Sequence, residues 1–315
     1  MAGKKPAGPL AAAGGLGLRD SGLAVFVMVI WGYNFVVAKT GLTELPPIFM
    51  MGLRFALSAL LLVPFVTMPR GRMKQVAALS VTLGAAHFSM MFTGLKTIDA
   101  STAAIAIQLQ VPFSALLATV LLADPPGWRR TIGMAVAFAG VVLIAGEPRF
   151  AGSLWALGLV IGAAFVWAVG NIQVKRMGGI DEMALLAWMS VMAAPQLFLL
   201  SFLLEEGQFA AAQAATWRGW GAVVYQAVVV VALSYGIWYR LLTRHSVSAA
   251  VPYTLLVPFF GVASAAIWLG ETLTTRVIVG GAITIMGVAV IIMRRPHLAD
   301  PIPDADTDPV EGHNE

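Results

Sequence analysis

Two prolines, Pro112 and Pro258, stand in the middle of long apolar runs, each four residues after a polar side chain, Gln108 and Thr254. Proline carries no N–H, so the carbonyl four residues earlier loses its helical partner. A bare carbonyl in hydrocarbon costs several kcal/mol unless something polar reaches it. These two places are therefore expected to meet water, a ligand or a neighbouring helix, with the prolines acting as hinges. Gln108 shares a helix face with Pro112, whereas Gln110 lies about 200° away from Gln108. Gln108 and Thr254 are thus read as ligand contacts and Gln110 as a link between helices.

Further polar groups sit deep in apolar runs: Asn34, His87, Asn171 and Tyr235. An amide or imidazole facing lipid is expensive, so each is expected to turn inward. There it either binds a ligand or joins two helices. For His87 the two readings stand level, and its ordinary pKa also allows a proton-sensitive role. Trp167 and Tyr253 offer flat apolar faces with a polar edge, suited to amphipathic molecules with aromatic or aliphatic side chains. Trp238 and Tyr239 approach a helix end and read as interfacial anchors. Nothing in the chain resembles bond-making machinery. There is no HExxH, no GxSxG, no paired aspartate and no cysteine, so no enzyme activity, metal or cofactor is expected.

The elements that position these residues follow from composition. Of 315 residues, 59% are hydrophobic and 11% charged, against roughly 45–50% and 25% in a soluble domain. Apolar runs of about 20 residues, enough to cross a bilayer, recur along the chain. Hydropathy places spans near 21–38, 46–67, 75–95, 101–122, 131–146, 152–174, 183–203, 219–240, 247–269 and 277–293. Turn and charge chemistry separates them, as at Pro46-Pro47 and at Pro69-Arg70-Gly71-Arg72. The fold class is all-α and membrane-integral, with lipid as the principal partner. The flanking stretches 1–20 and 296–315 are expected to be disordered cytoplasmic tails.

Charge tests the span count. With ten spans, Lys39, Lys96, Arg149, Arg218 and Arg276 fall on one side of the membrane and Arg54 inside the second span. The other fourteen of the 20 Lys and Arg residues fall on the opposite side. Basic loops resist translocation, which puts that side, and both termini, in the cytoplasm. The net charge of +4 is thereby a topology signal, and nucleic-acid binding is not expected.

The two halves also resemble each other. Ala103, Ala104 and Pro112 align with Ala249, Ala250 and Pro258; after a one-residue shift, Asp124, Arg129, Gly133 and Gly140 align with Glu271, Arg276, Gly280 and Gly287. Trp31 and Lys39 align with Trp167 and Lys175. Repeats of five spans, at 21–146 and 152–293, must insert upside down relative to one another. The expected architecture is a five-plus-five inverted repeat.

Several segments carry a family resemblance. Trp31-Gly32-Tyr33-Asn34-Phe35-Val36-Val37-Ala38-Lys39, Leu53-Arg54-Phe55, Gln108-Leu109-Gln110, Trp167-Ala168-Val169-Gly170-Asn171-Ile172, Tyr235-Gly236-Ile237-Trp238 and Leu255-Leu256-Val257-Pro258 resemble the EamA family of the drug/metabolite transporter superfamily. The likeness is to its amino-acid exporters of the YddG or the cysteine/O-acetylserine type. It implies a central cavity lined mainly by spans one, three, four, six, eight and nine, working by alternating access. It further implies export of amino acids, aromatic or neutral ones favoured, across a bacterial-type inner membrane by a single copy of the chain. Multidrug or other small-metabolite transport, uptake included, is the alternative. Arg54, in span two, falls outside the implied cavity group and is expected to be structural. No Asp or Glu lies firmly at mid-membrane, so strong proton coupling is not expected; the reading is efflux down a substrate gradient, or coupling through a group such as His87.

Overall fold

A computed structural model describes residues 16–122, 127–147, 153–177, 179–245 and 247–292. Among the described residues, ten helices are long and apolar enough to cross a membrane. They are α1 (Leu18–Gly41), α2 (Pro47–Phe65), α3 (Met73–Thr97), α4 (Ala100–Leu121), α5 (Trp128–Ala145), α6 (Leu154–Met177), α7 (Glu182–Leu204), α8 (Trp217–Arg244), α9 (Val251–Leu269) and α10 (Thr275–Ile292). A short helix, Gln208–Ala214, links α7 to α8. The stretches expected to be tails lie outside the described residues, except that α1 already begins at Leu18; Asp124, Arg149, Arg294 and Arg295 also lie outside them. The ninth span starts later than its hydropathy suggests, because Val247–Ala250 forms a separate short turn of helix before it.

Contacts at the helix ends fix the course of the chain. Nζ of Lys39, near the end of α1, donates to the carbonyls of Leu95, Lys96 and Ile98 at 2.8, 3.0 and 2.7 Å, closing the end of α3. Glu44 follows α1 and receives the amides of Thr216 and Gly219 at the start of α8, at 2.8 and 2.9 Å. Glu205 follows α7 and receives the amides of Ile48 and Phe49 at the start of α2. Glu271 follows α9 and receives those of Ala100 and Ser101 at the start of α4. The ends of odd-numbered helices and the starts of even-numbered ones therefore share one face, here the far face. Each carboxylate satisfies amides that the first turn of a helix leaves without partners, and meets the positive end of its dipole.

The near face is tied in the same manner. Arg72 at the start of α3 donates to the carbonyl of Met177 at the end of α6. His245 after α8 pairs with Asp20 in α1 at 2.6 Å.

Close packing between helices depends on small residues, since lipid offers no hydrophobic drive for their association. Along α5 and α10, Gly133 lies against Gly287 and Gly140 against Gly280. A Cβ on Gly140 would stand 2.3 Å from Oγ1 of Thr284 and 2.5 Å from the Gly280 carbonyl; one on Gly287 would stand 2.4 Å from the Ala137 amide. Outward positions such as Leu60, Leu203 and Ile267 are 73%, 70% and 75% exposed, as a lipid-facing surface requires.

Candidate functional site

Four helices depart from α geometry where they meet the interior. α4 tightens to a 3-10 turn over Ile107–Leu109, just before Pro112, and α9 does so over Val251–Leu255, just before Pro258. The proline at each place removes one i to i−4 bond, and the tighter turn takes up the slack. α3 widens to a π-helix over Ser80–His87 and α8 over Tyr225–Tyr235. No residue pattern announces these π segments. Each ends on a residue that faces the interior, His87 and Tyr235, and π segments recur at functional sites because they re-aim side chains.

These irregular turns surround a chamber of about 370 Å³ lined by Trp31, Asn34, Arg54, His87, Phe88, Gln108, Gln110, Trp167, Tyr235, Trp238, Tyr239 and Thr254, with apolar residues between them. A second chamber of about 270 Å³ extends toward the near face and is lined by Arg54, Phe88, Trp167, Asn171, Glu182, Ser190, Tyr235 and Tyr239, among others. Arg54, Phe88, Trp167, Tyr235 and Tyr239 belong to both walls. On the far side a vestibule of about 940 Å³ is bordered by Tyr33, Lys39, Asp99, Trp217, Arg218, Trp268 and Glu271.

Most residues expected at a site converge here. Asn34, His87, Gln108, Trp167, Tyr235 and Thr254 line the central chamber, and Asn171 lines the second. Oδ1 of Asn34 is buried without a hydrogen-bond partner, whereas Asn171 donates to the Ser114 hydroxyl at 3.3 Å. Tyr253 points elsewhere: its hydroxyl donates to Ser21 at 2.8 Å, tying α9 to α1. Pro112 and Pro258 are both buried in the helices whose irregular turns form the wall.

His87 is held from two sides. Nδ1 lies 2.9 Å from the Ala163 carbonyl; since a carbonyl only accepts, this nitrogen carries the hydrogen. The ring also packs on Trp167, with centroids 4.8 Å apart. Trp31 packs against Tyr235, tilted with centroids 5.4 Å apart, and edge-on against Trp238 at 5.5 Å, and its indole N–H donates to Ser234 at 2.7 Å. Trp238 is 7% exposed and lies in the chamber wall. It is not the interfacial anchor its place near a helix end suggested.

Arg54 is the largest departure from expectation. α2 takes part in both walls, so this side chain borders the chambers it was expected to avoid. Its position deep inside a span, where the other cations of the described helices lie near helix ends, was the signal that could have found it. Among the described residues, no cluster of three His, Asp or Glu side chains could hold a metal ion. The chamber suits a small amphipathic molecule, with aromatic faces, amide groups and one cation.

Comparison with known proteins agrees with this geometry. The chain is 34% identical over 281 residues to a protein of Salmonella typhimurium described as a "Probable amino-acid metabolite efflux pump", covering 86% of this chain and 93% of that one. A protein of Escherichia coli with the same description is 30% identical, covering 86% and 93%. A "Probable terminal-alkyne amino-acid exporter" of Streptantibioticus cattleyicolor is 31% identical, covering 73% and 76%. A protein of known crystal structure shares the fold with a TM-score of 0.62 at 17% identity, over 86% of this chain and 96% of the other. The model of the EamA-like transporter family matches residues 21–146 and 154–293. With this match over most of its length and ten membrane-spanning helices among the described residues, the chain belongs to the EamA-like transporter family.

Proposed function

We propose that this protein exports amino acids and related metabolites, aromatic and neutral ones favoured, from the cytoplasm across a bacterial-type inner membrane. The observation that carries the reading is the chamber at mid-depth, where aromatic faces and the amides of Asn34 and Gln108 meet. Similarity to proteins described as amino-acid metabolite efflux pumps supports it. In this reading Asn34, His87, Gln108, Trp167, Asn171, Tyr235 and Thr254 contact the cargo, and transport proceeds without any bond-making step, metal or cofactor.

The near face is taken as cytoplasmic, with both termini there, because the basic loops lie on that side. Residues 21–146 and 152–293 are taken as two inverted repeats. The paired irregularities of α3 with α8 and of α4 with α9 support this, as does the crosswise meeting of Gly133 with Gly287 and Gly140 with Gly280. A two-fold axis between equivalent helices demands such crossing. Alternating access then amounts to rocking of one repeat on the other about Pro112 and Pro258. A single copy of the chain encloses the chamber, so a monomer suffices.

Flux through proteoliposomes tests the reading. Saturable counterflow of a labelled neutral or aromatic amino acid is expected, weakened by Gln108→Ala. Counterflow of bulky organic cations with none of any amino acid would move the assignment to multidrug transport.

A further inference from the structure

Arg54 is 5% exposed and sits seven residues into α2, about 10 Å along a helix that rises 1.5 Å per residue. That is mid-depth, at the junction of the two chambers. Among the described residues it forms no ion pair. Nε has no hydrogen-bond partner, and Nη1 has only the sulfur of Met51 at 3.8 Å. Its guanidinium lies over the ring of Phe88 at 4.4 Å from the centroid and near Phe55 at 5.2 Å. Aromatic faces attract a cation, but far less strongly than burial of a full charge disfavours it. The fork of N–H donors is held in place by two rings and, among the described residues, meets no oxygen acceptor.

The other charges of the chambers sharpen the case. The residues lining the central chamber include no Asp or Glu. The second chamber has one carboxylate, Glu182, at the first residue of α7 and so at the near-face mouth. A zwitterion bound to Arg54 by its carboxylate would bring an ammonium into a chamber that holds no anion for it. A monoanion would instead neutralise the site.

We propose that Arg54 binds the carboxylate of the cargo, and that the preferred cargo is a monoanion: an aromatic or aliphatic amino acid whose amine is acylated or absent. The proposal rests on the exporter reading for the cargo's route, but the binding site stands on its own geometry. A planar guanidinium takes a carboxylate through two parallel hydrogen bonds, which an ammonium cannot reproduce. Trp167, Tyr235 and Trp31 offer faces for the side chain, and the amides of Asn34 and Gln108 can pair with the acyl group.

Binding and flux are measured separately on the purified full chain. In detergent, quenching of tryptophan fluorescence is titrated with N-acetyl-L-phenylalanine, its methyl ester, L-phenylalanine and phenethylamine. The acid is expected to bind at least about tenfold more tightly than each of the others, the range of one charge-assisted hydrogen bond. Arg54→Gln should remove most of that preference, and Arg54→Lys should restore part of it. Equal binding of acid and ester by the unaltered protein overturns the proposal and requires no variant to fold. So does a well-folded Arg54→Gln protein that keeps the full preference.

Counterflow in proteoliposomes then tests the route. N-acetyl-L-phenylalanine is expected to move with a kcat/KM about tenfold above that of L-phenylalanine, the loss in Arg54→Gln falling mainly on KM. If the acid binds selectively but nothing moves, the exporter reading fails and the site remains. If L-phenylalanine moves as well as the acid, the choice of cargo fails and the exporter reading remains.

Discussion

The imidazole Nδ1 of His87 lies 2.9 Å from the carbonyl of Ala163, joining the end of the π segment in α3 to the middle of α6. In a low-dielectric interior this bond orients the ring against Trp167 and leaves Nε2 as the only free acceptor on the imidazole. The tie makes His87 a positioning residue for the wall in addition to its proposed role as a cargo contact.

His87→Ala should therefore lower transport by widening the chamber, while His87→Asn, which can still donate to Ala163, should retain more of it. The parent and both variants should each transport equally fast with and without a pH gradient, because efflux is read as uncoupled. Strong acceleration by a pH gradient in proteoliposomes that survives His87→Ala would contradict the uncoupled reading.

Pro112→Ala and Pro258→Ala would each restore an N–H to the helix and allow the 3-10 turn before it to relax toward α geometry. We expect both variants to fold with melting temperatures close to the parent and to bind cargo, but to turn over more slowly, with the double variant slowest. Unchanged turnover in the double variant would remove the hinge role of these prolines.

The α5–α10 seam tolerates no side chain at Gly140, where the nearest contacts include a backbone carbonyl that cannot swing aside. Gly140→Val should destabilise the protein by about 1–3 kcal/mol or more, readable as a lower midpoint of thermal or denaturant unfolding in detergent. A neutral effect would mean the helices can part without cost.

Glu44 supplies a pH test on the far face. The Thr216 hydroxyl, donating at 2.7 Å, holds its carboxyl below the ordinary glutamate value of 4.5, aided by the amides of Thr216 and Gly219 and the charge of Arg218. A lowered carboxylate pKa contributes stability that is fully present above the ordinary value and is lost as pH falls through the lowered one. The gap in melting temperature between the parent and Glu44→Gln should hold steady from pH 8 to about 5 and close on further acidification. A gap indifferent to acid would show that the charge contributes nothing.

Much of this was legible in the residues. Apolar length marked all ten spans, and the freed carbonyls before Pro112 and Pro258 led to Gln108 and Thr254, both in the chamber wall. The π segments were not legible, because Ser80–His87 and Tyr225–Tyr235 carry no proline, and their widening depends on packing against other helices. Arg54 and Trp238 were misplaced for a related reason. Depth along a helix can be counted from sequence, but which neighbour a side chain meets is set by tertiary contacts that hydropathy does not encode. Tyr253 shows the converse, since at suitable depth it turns to Ser21 and away from the chamber.

The central claim is that the chamber carries amino acids or their metabolites across the membrane. Counterflow of labelled phenylalanine and its N-acetyl derivative into proteoliposomes preloaded with the unlabelled compound tests it most directly. The account predicts saturable, preload-dependent uptake of label that falls severalfold in Gln108→Ala. Absence of preload-dependent uptake of any amino acid or derivative by folded, correctly inserted protein would contradict it.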